Sequence, residues 1–534
     1  MVLSTGVHGD HASWFLSSVE RGNRHTVLDA GKPGATAWSL GNRATPLVHG
    51  ATYFAELAAC LARTGPGDLV LFTDWQGNGD ERLTGAAGSE LVAVLGAAIR
   101  RGADVRALIW RSHTGLFGYS AEDHLELADQ LQELGADVQL DMRVRPAGAH
   151  HQKFVVIRHR DDPARDVAFV GGIDLCHGRR DDGTHHGDPQ AIDIAAEYGA
   201  TPPWHDAQVA LHGPTVADVE TVFRERWEDT SPTTRNPVRR LRDARAGHDS
   251  SNRPLPAQAP PPPPAGTHAV QLLRTYPRLG IGWAYDFAPA GERSVARGYT
   301  KALDQVQSLV YLEDQFLWGD QMSRVLADAL ERAPDLHVVA VLPMHPDQEG
   351  ALNRDPQLLG RQRAIRRLRA VAPDRIAFLA LESPAGTPVY VHAKVCVLDD
   401  DWATIGSDNF CRRSWTCDSE LTVAVRDDAD LPAGTGYAAR LRATLVAEHL
   451  DRSPDVEAGP LDGRALFTTL TEAADALDAW HAGGRRGPRP PGRLRRLPEP
   501  VVPRWRRPLA GLLYRFVHDP DGRPWRVRLR GPFW

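Results

Sequence analysis

Apolar strand-like runs alternate with amphipathic stretches along most of this chain, and the alternation occurs twice. The first pass has an apolar run at 69–72 leading to Asp74 and Trp75, then helical periodicity over 90–101, a strand pattern over 105–110 and helical periodicity over 121–134. It ends in a strand-like segment carrying His151. The second pass repeats this order, with a strand at 308–312, a helix at 321–332, a strand at 338–342, a helix at 358–371 and a segment carrying His392. Each pass closes alike, through a Gly turn (171–174 or 406–409), an acidic strand (206–211 or 418–425) and a long helix (215–227 or 434–450). Strands alternating with helices predict an α/β fold. A period of roughly 200 residues predicts a duplication: two similar lobes, each a mixed, mostly parallel sheet flanked by helices, together one pseudo-twofold unit.

A Pro-rich stretch at 253–266, with an unbroken run from Pro260 to Pro264, is stiff and extended and divides the passes. The expected organisation is an N-terminal extension (1–40), a first lobe (41–243), a linker (244–267), a second lobe (268–452) and a C-terminal region (453–534). In that last region a helix is predicted over 461–480. The stretch 485–507 is Arg/Pro-rich and reads as irregular, and Trp505, Tyr514, Phe516, Trp525 and Trp534 are set among arginines.

Composition narrows the function classes. The chain has 534 residues, 42% hydrophobic and 24% charged, which are globular values. Its net charge of −6 does not announce a nucleic-acid binder. Between Arg485 and Arg530, however, 14 arginines face only Glu499, Asp519 and Asp521, so the remainder is more acidic than the average suggests. An arginine and aromatic mixture suits an anionic lipid surface. Packing of the aromatics onto the body, with the arginines solvated, is the competing reading. Five cysteines without CxxC spacing argue against a disulfide framework or zinc ribbon. The N-terminal residues include His8, Asp10 and His11 where a signal peptide needs an apolar block. A cytoplasmic protein, peripheral at a membrane surface and monomeric, is the expectation.

The chemistry concentrates in His151-Gln152-Lys153 and His392-Ala393-Lys394. Residues two apart on a strand face the same side, so each segment presents an imidazole with an ammonium. One HxK is weak evidence; two copies, each leading to a Gly turn, are strong. Such a duplicated pair can cleave a phosphodiester with one imidazole as nucleophile and the other as acid. Gln315 and Phe316, at the C-terminal end of an apolar strand, are candidate substrate contacts. His177, His185, His186 and Asp188 crowd one Gly-rich loop, but their irregular spacing reads as a solvated loop over a metal site. Trp75, Trp110, Trp318 and Trp402 read as core or pocket wall.

After Lys394 four residues precede Asp399, and six more precede Gly406-Ser407-Asp408-Asn409. HxKxxxxD followed by GSxN, in a chain with two HxK segments, resembles the phospholipase D superfamily. The blocks at 149–156, 169–176, 178–181, 203–206, 311–316 and 390–394 look like phospholipase D proper more than its shorter nuclease or cardiolipin synthase members. The resemblance covers roughly residues 40–450 and excludes the Arg-rich tail. It implies that His151 attacks phosphorus to form a phosphohistidine while His392 protonates the leaving alcohol and then activates water or another alcohol. Lys153, Lys394 and Asn409 would bind the phosphate oxygens, Asp399 would join them as a catalytic residue of the second motif, and Ser407 would be a further substrate contact. No cofactor or metal is implied. Asp206 and Glu420, with Asp418 a rival to Glu420, stand where the family's imidazole-orienting carboxylates lie. Head-group cleavage of a phospholipid to phosphatidic acid is the implied activity, with transphosphatidylation as a side reaction and no nucleic-acid partner. A nuclease, another phosphodiesterase or a cardiolipin-synthase-like phosphatidyltransferase is the alternative.

Two departures from the pattern stand out. The first motif has Arg158 where Asp399 stands in the second, followed by a charged hairpin at 159–166 in which Asp161, Asp162 or Asp166 could substitute. That position has the wrong parity to face a phosphate on a regular strand, which makes its aspartate a turn-shaping residue. Asp408 puts a carboxylate beside the anion site unless it points away.

Overall fold

The structure is a computed structural model, and it describes residues 10–113, 121–245, 253–428, 431–457 and 459–529. His8, Arg530 and Trp534, part of the linker, and the side chain of Trp525 lie outside the described residues.

The first half contributes strands β1 (Ser39–Val48), β2 (Leu69–Asp74), β3 (Asp104–Trp110), β4 (Asp137–Asp141), β5 (Phe154–Arg158), β6 (Val167–Gly171), β7 (Trp204–His205) and β8 (Ala207–His212). The second contributes β9 (His268–Tyr276), β10 (Glu292–Arg293), β11 (Leu309–Asp314), β12 (His337–Val341), β13 (Ile376–Glu382), β14 (Pro388–Val391), β15 (Lys394–Leu398), β16 (Trp402–Gly406), β17 (Glu420–Asp427) and β18 (Leu494–Arg496). Within each half's main sheet the parallel pairs are β2–β3–β4 in one and β11–β12–β13 in the other, and β14 pairs parallel with β7 across the halves. From β2 the first sheet continues antiparallel through β5, β6, β8 and β1, and from β11 the second continues through β15, β16, β17 and β9. Each sheet is therefore mixed, with its parallel part where helices make the crossovers and its antiparallel part built from hairpins. Mostly parallel pairing holds for the helix-linked strands alone: in each half the HxK strand and the main-sheet strands after it pair antiparallel.

The two sheets are joined. β1 pairs with β8 of its own half and also meets β9 at Ser39↔Val270 and Asn42↔His268. One apolar cluster includes Val156, Val170 and Val209 from the first half and Val395, Ile405 and Val423 from the second, so the seam is a buried core. Helix Thr215–Trp227 packs into that cluster through Val216, Val219, Val222 and Phe223, and helix Tyr437–His449 does so through Leu441 and Leu445. N-terminal residues Trp14, Phe15 and Leu16 pack against the second half, where the buried Arg21 guanidinium pairs with Glu292.

The C-terminal region forms a helix close to the one expected, and the irregular stretch expected over 485–507 is interrupted by one short strand. Helix Gly463–Ala482 places Leu470 and Ala474 in the seam core, and β18 adds an antiparallel edge to β13 with Leu381↔Leu494. Arg495 pairs with Glu382 and Arg496 with Asp475, so much of the arginine charge is spent on the body. A three-residue strand is too short to show a period-two signal. Helix Arg507–Leu513 then runs into a wider helical turn at Tyr514–His518.

Candidate active site

Both HxK segments lie where a strand begins. Lys153 precedes β5 and Lys394 opens β15, and each ammonium turns back onto the carbonyl of the histidine two residues earlier: Lys153 Nζ to His151 O at 3.0 Å, and Lys394 Nζ to His392 O. Both lysines are almost fully buried. A buried ammonium needs counter-charge. Lys153 has Asp174 at 3.5 Å, while Lys394 feels Asp206 and Asp314, yet burial still pulls its pKa down to about 8.

The imidazoles are held crosswise. His151, from the first half, has Nδ1 2.9 Å from Glu420 Oε2 on β17 of the second half. His392, from the second half, has Nδ1 2.6 Å from Asp206 Oδ2 between β7 and β8 of the first. Backbone hydrogen bonds make the exchange rigid. His151 N donates to Ser419 O and Ser419 N to Ala149 O, each at 2.9 Å, while His392 N donates to His205 O at 2.8 Å and β14 runs parallel to β7. An ionised carboxylate can only accept, so Nδ1 carries the proton and Nε2 is left as the reactive nitrogen. Burial, then Lys153 for His151 and Lys394 for His392, pushes both imidazoles well below the ordinary histidine value. Burial likewise lifts the Glu420 carboxyl to about 7 and raises that of Asp206.

Both histidines line one cavity of about 150 Å³, together with Trp75, Gln315, Trp318 and Asn409. Trp75 meets the His151 ring edge-on at 6.0 Å, and Trp204 lies 5.1 Å from the His392 ring with the Arg179 guanidinium 4.0 Å over the Trp204 ring. Gln315 donates to Tyr390 Oη at 2.7 Å and accepts from Lys394 at 3.4 Å; Phe316 stacks on Trp318. The side-chain oxygen of Asn409 has no hydrogen-bond partner in the protein. Val517 and His518 from the C-terminal region complete the wall. Two imidazoles and an amide line a small cavity, with two buried ammoniums set behind the imidazoles, a chemical set for gripping and transferring a phosphoryl group.

Several sequence expectations land elsewhere. Asp399 does not line the cavity: with φ 50° it accepts backbone hydrogens from Gln307, Ser308 and Leu309 at 2.6–2.9 Å, closing the hairpin after β15. This corrects the expectation of a catalytic Asp399; the parity noted for the matching Arg158 position applies here too. In the first half Arg158 makes a buried bridge instead, to Asp166 at 2.9 Å and Glu220 at 3.0 Å, while Asp161 and Asp162 are exposed. Ser407 faces away from the cavity and donates to Glu420 Oε2 at 2.6 Å, making it a brace for that carboxylate. Asp418 contacts no imidazole; it grips Arg413 at 2.6 Å and accepts from Ala149 N at 2.9 Å, leaving Glu420 as the partner of His151. Asp408 turns to Thr422, and burial together with Glu420 raises its pKa far above the carboxylate range. Trp204 and Arg179 carried no sequence signal beyond the blocks they sit in, and Arg413, which lines the cavity, carried none.

A family model described as phospholipase D matches residues 124–340, and one described as cardiolipin synthase, PLD-like domain, matches residues 326–434. The chain belongs to the phospholipase D superfamily. It is 26% identical over 486 residues to phospholipase D alpha 2 of Oryza sativa subsp. japonica, covering 67% of this chain and 58% of that one. Phospholipase D alpha 1 of Cynara cardunculus is 24% identical over 482 residues, covering 71% and 58% respectively. The chain thus spans just over half the length of these relatives. Among solved structures, phosphatidylserine synthase of Haemophilus influenzae Rd KW20 shares the fold with a TM-score of 0.50 at 14% identity, over 76% of this chain and 85% of that one.

Proposed function

We propose that this phosphodiesterase cleaves the head-group phosphoester of phospholipids to give phosphatidic acid and a free alcohol. The observation that carries the reading is the crosswise anchoring of both imidazoles by buried carboxylates at one cavity. In the proposed first step His151 Nε2 attacks phosphorus; the P–N bond forms, the P–O bond to the head group breaks, and a proton on His392 Nε2 passes to the departing alkoxide. In the second, water gives that proton back to His392 as its oxygen attacks phosphorus and the P–N bond breaks. Lys153, Lys394 and Asn409 neutralise the non-bridging oxygens as charge builds on them. Both histidines are depressed by burial when the site is free, which keeps His151 nucleophilic; the arriving phosphate anion supplies the field that lets His392 hold its proton.

An alcohol in place of water gives transphosphatidylation by the same steps, and the match to a cardiolipin synthase domain over residues 326–434 favours testing it. Phosphatidylcholine vesicles incubated with ethanol are expected to yield phosphatidylethanol alongside phosphatidic acid. Hydrolysis without any phosphatidylethanol would remove the shared intermediate.

We also propose that the C-terminal region meets the lipid surface. Trp505, Leu509, Leu512 and Phe516 are 75%, 53%, 56% and 59% exposed, while Ala510 and Tyr514 on the other face are buried. This apolar stripe is flanked by exposed Arg504 and Arg515 and runs directly into Val517 and His518 of the cavity wall. Among the described residues no helix is long and apolar enough to cross a membrane. Replacing Leu509, Leu512 and Phe516 with serine is expected to weaken binding to anionic vesicles while leaving turnover of a short-chain soluble substrate intact.

A further inference from the structure

Behind the catalytic cavity lies a second cluster of titratable side chains that the proposed chemistry does not use. His49 precedes helix Gly50–Ala62, His185 sits in the Gly-rich loop and His205 is on β7, all in the first half; Glu448 comes from helix Tyr437–His449 of the second. One ligand atom from each of these four residues lies within 4.8 Å of the others. His49 Nε2 is 2.7 Å from Glu448 Oε2, while His185 Nε2 and His205 Nδ1 are 3.0 and 3.6 Å from Glu448 Oε1. The rings surround the carboxylate with centroids 5.0 Å (His49 to His185), 5.0 Å (His49 to His205) and 5.9 Å (His185 to His205) apart.

We infer that His49, His185, His205 and Glu448 form a binding site for one zinc-class divalent transition-metal ion that staples the two halves together. Three imidazole nitrogens and one carboxylate oxygen make a complete tetrahedral donor set for such an ion, whose bonds of about 2.0–2.2 Å hold the donors closer together than they lie here. An outer layer of carboxylates supports the assignment. Glu313 Oε2 lies 2.7 Å from His205 Nε2, and Asp181 Oδ2 3.5 Å from His185 Nδ1, the arrangement that fixes the tautomer and aim of a metal-binding imidazole. Glu313 is in turn held by His449 at 2.8 Å and by Tyr311 Oη at 2.6 Å. Glu313 meets Nε2 of the fully buried His205, whose Nδ1 faces Glu448 Oε1 at 3.6 Å with no hydrogen-bond partner among the described residues. His49 and His185 both hold positive φ, 69° and 54°, a backbone conformation costly for a residue with a Cβ. Arg493, 3.7 Å from Glu448 Oε1, borders the cluster on the other side.

The expected sequence reading of the His185 loop as solvated is overturned for His185, which is buried. The signal was absent because its partners lie far apart in the chain. None of the four residues lines the catalytic cavity, so the ion would not touch substrate. It would hold the segment from which His205 O accepts His392 N and from which Asp206 reaches His392 Nδ1.

The test uses the full chain, stripped with chelator, returned to metal-free buffer and titrated with Zn²⁺ against a chromophoric competitor, with Co²⁺ as a spectroscopic substitute. One tight equivalent is expected in the wild type and in the His151→Ala/His392→Ala double variant, whose remaining site cannot be the catalytic pair. Co²⁺ should give the visible absorption of a tetrahedral nitrogen-rich site, and Zn²⁺ should raise the melting temperature of the stripped protein. His185→Gln and Glu448→Gln should each lose the equivalent, with circular dichroism reporting that the variants fold. Absence of Zn²⁺ binding in the folded wild type, or stoichiometric binding that survives both cluster substitutions and disappears from the catalytic double variant, would overturn the inference and leave the cluster a proton-shared histidine and glutamate network.

Discussion

The two halves repeat one scaffold and differ at almost every charged position that matters. In the first, His151 is oriented by the longer arm of Glu420, itself braced by Ser407; in the second, His392 is oriented by the shorter Asp206, whose carboxylate comes within 2.6 Å. The Gly turn after β6 ends in Asp174, which partly neutralises Lys153, whereas the turn after β16 ends in the neutral Asn409. The hairpin beyond the lysine is closed by a buried Arg158 bridge in one half and by Asp399 capping backbone N–H groups in the other. Duplication supplied the geometry, and the charged groups around the two imidazoles diverged, as the proposed division into nucleophile and acid requires.

The strongest way to break this comparison is to remove each imidazole. His151→Ala and His392→Ala should each slow phosphatidylcholine hydrolysis by about 10²–10⁴-fold. With a p-nitrophenyl phosphodiester, whose leaving group needs no proton, His392→Ala should recover a first-turnover burst of p-nitrophenolate followed by slow hydrolysis, and His151→Ala no burst. Equal behaviour of the two variants on both substrates would erase the proposed division of roles.

Next in size are the crossed carboxylates. Glu420→Gln and Asp206→Asn should lower kcat by about 10²-fold or more with little change in KM, because each leaves its imidazole in the wrong tautomer. Because each partner belongs to the opposite half, either substitution should impair the histidine of the other repeat. Burial also sharpens the contrast through pH. Lys394 acts as an ammonium and its pKa is drawn down to about 8, so kcat/KM should fall as pH rises through that value. Lys394→Arg, with a guanidinium that stays charged, should retain residual activity and move the alkaline limb upward.

The smallest catalytic effects belong to the hairpin closures. Arg158→Ala strands buried Asp166 and Glu220 and should cost about 3–5 kcal/mol in urea unfolding. Asp399→Ala frees three backbone N–H groups and should cost about 1–3 kcal/mol. Neither should change kcat per folded molecule; a large fall in kcat from Asp399→Ala would return that residue to the chemistry.

Much of this was readable in advance. The strand and helix order of each half follows from hydrophobic period, and helix Thr215–Trp227 has the bounds its pattern predicts. Both HxK pairs and both Gly turns stand out because they are short, local and repeated. The structural part of Asp399 follows from strand parity alone. Ser407 was misjudged because its neighbourhood in sequence resembles an anion site while its hydroxyl faces across the sheet to Glu420. The approach of Val517 and His518 to the cavity carried no local signal at all.

By itself the chain's pattern determined what each segment is and which side chains share a strand face, since backbone sterics and burial of apolar stripes act over a few residues. Only tertiary structure decided that His151 would be oriented from 269 residues away and His392 from 186, and that His49, His185 and His205 would meet Glu448. Those pairings depend on how two sheets close over a common core, and the free energy that sets that closure is spread across the whole seam, in no one stretch of sequence.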